Sequence, residues 1–124
     1  METKSAVTAL GALAQETRLA IYRLLVERGP DGLPAGEIAE QLKLAPATLS
    51  FHLKELAHAG LIAARQEGRF IWYRADFVAM NGLVAYLTEN CCRASAVCET
   101  TCAPVRPPRP LAVSIRSPRK RRSA

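Results

Sequence analysis

Four cysteines fall within twelve residues, at Cys91, Cys92, Cys98 and Cys102, and thiolates gathered this closely suit soft, thiophilic ions. A structural disulfide is the first competing use. Adjacent residues have Cα atoms about 3.8 Å apart, below the roughly 4.4 to 6.8 Å that a disulfide prefers, so a Cys91–Cys92 bridge would be strained. A Cys98–Cys102 bridge is sterically allowed but opposed by a reducing cytosol. Trivalent arsenic and antimony take three thiolates in a pyramid. Zinc and cadmium prefer four tetrahedral ligands, usually from C-x₂₋₄-C pairs, a spacing that Cys98 and Cys102 have and the adjacent pair lacks. On a regular helix, side chains at Cys91 and Cys92 point about 100° apart, so convergence on one ion requires the helix before them to unwind. A thiol enzyme would need a thiolate activated by a base or a helix N-terminus. These cysteines follow a helix C-terminus, whose dipole disfavours a thiolate, so no enzyme is expected; thiol oxidation as a switch stays open.

The second segment able to do chemistry runs from Pro46 to Leu56. Pro46 suits the first position of a helix, where its missing N–H costs nothing. Leu49, Leu53 and Leu56 share one side, which turns Ala47, Phe51, Lys54 and Glu55 outward with Thr48 and Ser50 on the flanks and His52 nearer the core boundary. Small and hydrogen-bonding side chains at the start of such a helix fit the major groove of duplex DNA and its base edges. Arg65 and Arg69 flank a turn further on, where they suit phosphate or minor-groove contacts. The bland alternatives are solvated helix polars for Thr48 and Ser50, a packed histidine for His52, and strand-edge charges for the two arginines.

The elements that must position these residues are short. Val7, Leu10, Leu13 and Ala14 recur at helical spacing. A second helix opens at Thr17, buries a face from Leu19 to Val26, and stops at Gly29-Pro30-Asp31-Gly32. A third spans Ala35 to Leu42, and the helix of Pro46 follows the tight connection Leu44-Ala45. Gly60 ends it as a left-handed cap. Leu61 to Gln66 and Phe70 to Arg74 read as a β-hairpin around Glu67-Gly68-Arg69. Asp76 can cap a last helix with an apolar stripe at Phe77, Met80, Leu83, Val84 and Leu87. The order predicts a mainly α, α+β fold: a winged helix-turn-helix with a two-stranded hairpin wing.

Charge is divided unevenly along the 124 residues. The net charge is +6, yet residues 1 to 102 carry ten basic and eleven acidic side chains, while residues 103 to 124 carry seven basic ones, no acid and five of the eight prolines. Nucleic-acid binding by the folded part must therefore rest on pattern rather than bulk charge. The expected organisation is a DNA-binding and dimerisation domain over 1–92, a cysteine segment over 93–103 and a disordered basic tail over 104–124. No run approaches the roughly 18 to 20 apolar residues of a membrane span, and Met1-Glu2-Thr3-Lys4 does not begin a signal peptide. The expected compartment is the cytoplasm.

Gln15-Glu16-Thr17-Arg18-Leu19-Ala20-Ile21-Tyr22-Arg23-Leu24-Leu25 resembles the second-helix signature of the ArsR/SmtB metalloregulators. Leu44-Ala45-Pro46-Ala47-Thr48-Leu49-Ser50-Phe51-His52-Leu53-Lys54-Glu55-Leu56, followed by Ala59-Gly60-Leu61-Ile62, is similar to their recognition helix and first wing strand, and Glu67-Gly68-Arg69 with Tyr73 to the wing. The resemblance covers about residues 5 to 92. It implies a homodimer built from the first and last helices, hence an interface at Val7, Leu10, Leu13, Phe77, Met80, Leu83, Val84 and Leu87. It also implies double-stranded operator DNA as partner, read by Pro46, Ala47, Thr48, Ser50, Phe51, His52, Lys54, Arg65 and Arg69, and release by an inducer. The third helix carries no cysteine and the last lacks the Asp/His pairs of zinc-sensing members. Cys91, Cys92 and Cys98 resemble the arsenite site of one branch of arsenic-responsive repressors, which implies As(III) or Sb(III) as inducer and no organic cofactor. Cys102 is a fourth candidate ligand without a counterpart in that triad. Trivalent organoarsenicals, cadmium, zinc or lead are the alternative inducers.

Overall fold

Five helices and three short strands follow one another in a computed structural model that describes residues 1–94. They are α1 (Thr3–Leu13), α2 (Glu16–Arg28), β1 (Leu33–Pro34), α3 (Ala35–Leu42), α4 (Pro46–His58), β2 (Ile62–Glu67), β3 (Phe70–Ala75) and α5 (Phe77–Thr88). Met1–Glu89 forms one compact unit. The proposed tail, 104–124, and most of the cysteine segment lie outside the described residues. Among those described, no helix is long and apolar enough to cross a membrane.

Local chemistry sets the helix boundaries. Gln15 opens α2 by accepting a hydrogen bond from the Arg18 amide (2.9 Å), and the Arg18 side chain donates to the Ala12 carbonyl (2.6 Å), which pins the α1–α2 corner. The α3–α4 turn is closed by a left-handed residue, Lys43 (φ 55°), with the Leu44 amide donating back to Ala39 (2.9 Å). At the other end of α4, Gly60 (φ 81°) donates to Ala57 (3.0 Å) and Leu61 donates to Leu56 (3.1 Å). This paired arrangement is the Schellman cap. Asp76 caps α5 by accepting from the Ala79 amide (3.1 Å).

The two-stranded hairpin wing forms as its sequence pattern suggests, and a third strand extends its sheet. β2 and β3 pair antiparallel from Ile62↔Ala75 to Glu67↔Phe70, and β1 adds to the far side of β3 through Leu33↔Tyr73 and Pro34↔Trp72. A two-residue strand containing a proline carries no period-two signal, and proline is tolerated there because the strand lies at an edge. The core lies under this sheet: Ile21, Leu25, Leu33, Ile38, Leu56 and Leu61 are fully buried, with Ala75 closing it. Each large side chain so buried is worth about 1.5 to 3 kcal/mol relative to exposure.

Candidate nucleic-acid interface and thiol pair

Two sides of α4 have opposite character. Leu49, Leu53 and Leu56 are buried, whereas Pro46, Ala47, Thr48, Ser50, Phe51, Lys54 and Glu55 are exposed. Ala47, Ser50, Phe51 and Lys54 stand at i, i+3, i+4 and i+7, a spacing that sets them on one side of a helix. His52 is not among them. Its ring is buried, its Nδ1 has no hydrogen-bond partner among the described residues, and it meets Phe51 edge-on with centroids 5.5 Å apart. It sits on the leucine side of the helix and is largely packed there.

The hairpin presents Arg65 and Arg69, both exposed. Gly68 (φ 64°) makes the tip. Arg65 is not an isolated cation: its Nε lies 3.0 Å from a Glu67 carboxylate oxygen and its guanidinium 5.6 Å from the Trp72 ring centroid. Glu67 and Trp72 are participants that helical and strand periodicity could not have named. The cross-strand pairing of Arg65 with Trp72 is what brings the cation over the ring.

A second uncovered surface lies on α1 and α5, which are joined by a hydrogen bond between the Thr3 and Tyr86 hydroxyls. Val7, Leu10, Val84 and Leu87 are exposed, Leu13, Phe77 and Met80 half-buried, and Leu83 buried within the protomer. Leu83 therefore serves the core of its own chain. The others are available to a partner. Beside α5, Tyr22, Arg23, Val26, Glu27 and Met80 line a groove of about 390 Å³. The Tyr22 hydroxyl is buried with no hydrogen-bond partner among the described residues, and burial, with the Asp76 carboxylate adding to it, raises its pKa above the ordinary phenol value.

The adjacent cysteines do not sit on a helix. α5 ends at Thr88, Glu89 is extended, and Asn90 (φ 61°) and Cys92 (φ 63°) both take the left-handed conformation, in a turn closed by the Arg93 amide donating to Asn90 (3.0 Å). This turn brings the Cys91 and Cys92 sulfurs to 3.6 Å of each other. Two thiolates on one tetrahedral zinc, each about 2.3 Å away, stand about 3.8 Å apart, so the observed separation is compatible with two ligands on one thiophilic ion. Cys91 is exposed and Cys92 half-buried. Among the described residues no group of three ligating side chains forms. Cys98 and Cys102 lie outside those residues.

Comparison with known proteins places this geometry. A helix-turn-helix domain family matches residues 13–65. The chain is 43% identical over 58 residues to the HTH-type regulator YceK of Bacillus subtilis, covering 47% of this chain and 57% of that one. It is 33% identical over 81 residues to the arsenical resistance operon repressor of the same organism, covering 65% and 73%. An ArsR-like regulator from Rhodococcus superposes with a TM-score of 0.59 at 28% identity, covering 68% and 76%. The homodimeric winged helix-turn-helix domain Mb0332 of Mycobacterium bovis does so with a TM-score of 0.58 at 28% identity, covering 70% and 81%. The chain belongs to the ArsR family. In this ArsR-family protein the matched helix-turn-helix runs from the end of α1 into β2. It takes in the exposed side of α4 and Arg65, and stops short of Arg69, α5 and the cysteines.

Proposed function

We propose that this ArsR-family chain is a homodimeric repressor that reads operator DNA with α4 and the hairpin and is released when Cys91, Cys92 and Cys98 together hold As(III) or Sb(III). The observation that carries the DNA reading is the exposed stripe Ala47, Ser50, Phe51 and Lys54 lying opposite three buried leucines. A dimer sets two such helices about one DNA turn apart. The uncovered apolar residues of α1 and α5 support that dimer, as does the homodimeric relative. Support for the inducer comes from the 3.6 Å separation of two thiols in a turn and from the similarity to an arsenical resistance repressor.

Coupling of roughly 1 to 3 kcal/mol between the thiol site and the DNA-binding form would weaken operator binding about 5- to 150-fold. The decisive experiment titrates the reduced protein on its operator with arsenite, antimonite, cadmium and zinc. Release by the trivalent ions at the lowest concentration is expected. Release by cadmium or zinc alone would replace the trivalent inducer with a divalent one. Retention under all four would remove the proposed inducer class.

A further inference from the structure

Phe51 is out of place by the logic of folding. It is a large aromatic side chain, 57% exposed, on the side of α4 that faces away from the core. Leu49, Leu53 and Leu56 already fill the buried side, so the ring contributes little to packing within the protomer. It is also separate from the uncovered apolar residues of α1 and α5, since it stands on the helix that the DNA reading turns toward the major groove.

Its surroundings restrict what it can recognise. One turn earlier on the same side is Ala47, with Thr48 beside it; Ser50 and Lys54 flank it and supply hydrogen-bonding groups. A phenyl ring neither donates nor accepts a conventional hydrogen bond. It is therefore blind to the donor and acceptor pattern of the base edges. The one apolar group that a base pair of ordinary DNA presents in the major groove is the C5-methyl of thymine. Its one ring neighbour among the described residues is His52, met edge-on, and the ring is otherwise more than half exposed.

We infer that Phe51 determines specificity for thymine, by packing its ring against the C5-methyl group in the major groove; this rests on the DNA-binding reading above. The flanking Ser50 and Lys54 then hydrogen-bond to neighbouring base edges or phosphates, while Phe51 distinguishes thymine from the other bases by the methyl alone. Substituting uracil for thymine removes that methyl and leaves the hydrogen-bonding edge unchanged, so it isolates the contact.

The full chain is used to select tight-binding duplexes from random DNA, and each thymine of the selected site is then replaced by uracil. Wild-type protein is expected to lose about fourfold in affinity per half-site at one thymine, the factor associated with burying one methyl-sized group. Phe51→Ala should bind more weakly overall and show no such loss, and Phe51→Leu should retain most of it. The uracil penalty on wild-type protein needs no variant to fold. If no duplex is enriched, the DNA reading itself fails. If a site is enriched but no uracil substitution weakens it, or if Phe51→Ala shows the same penalty as wild type, DNA binding stands and the role given to Phe51 is overturned.

Discussion

The Leu61 amide reaches back to the Leu56 carbonyl at 3.1 Å, and both side chains are fully buried. One residue pair thereby ends α4, starts the chain toward β2 and anchors both in the core. Gly60 makes the reversal possible with φ 81°, and a Cβ added there would meet nothing within 4 Å. Gly60→Ala should therefore cost only the left-handed penalty, roughly 1 to 2 kcal/mol. Gly32 is different: φ is 76° and a Cβ would lie 2.3 Å from the Tyr73 carbonyl oxygen. Gly32→Ala adds backbone displacement at the β1–β3 pairing to the same penalty and should be clearly the more damaging. Urea unfolding of both variants checks the order, and equal losses would show that the Tyr73 contact relaxes freely.

Tyr22 offers a stabilising substitution. A buried hydroxyl without a partner costs about 1 to 3 kcal/mol of desolvation, and the Tyr22 oxygen has no hydrogen-bond partner among the described residues. Tyr22→Phe is expected to match or exceed wild-type stability at neutral pH. The advantage should widen in alkali. Because burial and, secondarily, Asp76 raise the Tyr22 pKa in the folded state, the unfolded chain gives up that proton first, and stability falls as pH rises past about 10. Phenylalanine has no such proton. Unfolding midpoints measured near pH 7 and above pH 10 would count against this account if the gap between the two proteins stayed constant or narrowed.

Much of this arrangement was legible in the sequence because it depends on period. The spacing of Leu49, Leu53 and Leu56 names the buried side of α4, and Pro46, Gly60 and Asp76 mark its start, its end and the next helix. Periodicity gives an angle around the axis but not a depth, which is why His52, next to the leucine side, reads as a boundary residue although its ring is buried. β1 is too short to have a period, and it exists because Leu33 and Pro34 find β3, forty residues away in the chain. The separation of the cysteine sulfurs depends on left-handed turns at Asn90 and Cys92. Asparagine tolerates that conformation, a signal too weak by itself to predict the turn.

Ser50 and Lys54 provide the test of α4 that leaves the core untouched. Both are exposed on the side away from Leu49 and Leu53, so Ser50→Ala and Lys54→Ala should leave the unfolding midpoint nearly unchanged. Operator binding should weaken by about 1 to 3 kcal/mol where a base edge is lost, with altered sequence preference. Loss of a phosphate contact at Lys54 would instead weaken all sequences alike and lower the salt dependence. Wild-type affinity in both variants would remove this side of the helix from DNA recognition.

The cysteines separate three-thiol from two-thiol sensing. Cys91 and Cys92 are already 3.6 Å apart, so a three-coordinate ion needs one more thiolate, and the proposed source is Cys98. Replacing any of the three by serine leaves such an ion one ligand short and should abolish release of DNA by arsenite. Operator binding itself should survive, because these residues follow the compact unit Met1–Glu89 that contains the helix-turn-helix. Cys102→Ser should respond like wild type. All four variants are read in one assay, operator release across an arsenite titration of reduced protein. Loss of response in Cys102→Ser with retention in Cys98→Ser would reassign the third ligand. A response requiring only Cys98 and Cys102 would separate the sensor from the adjacent pair, and a two-thiol organoarsenical site would then fit better.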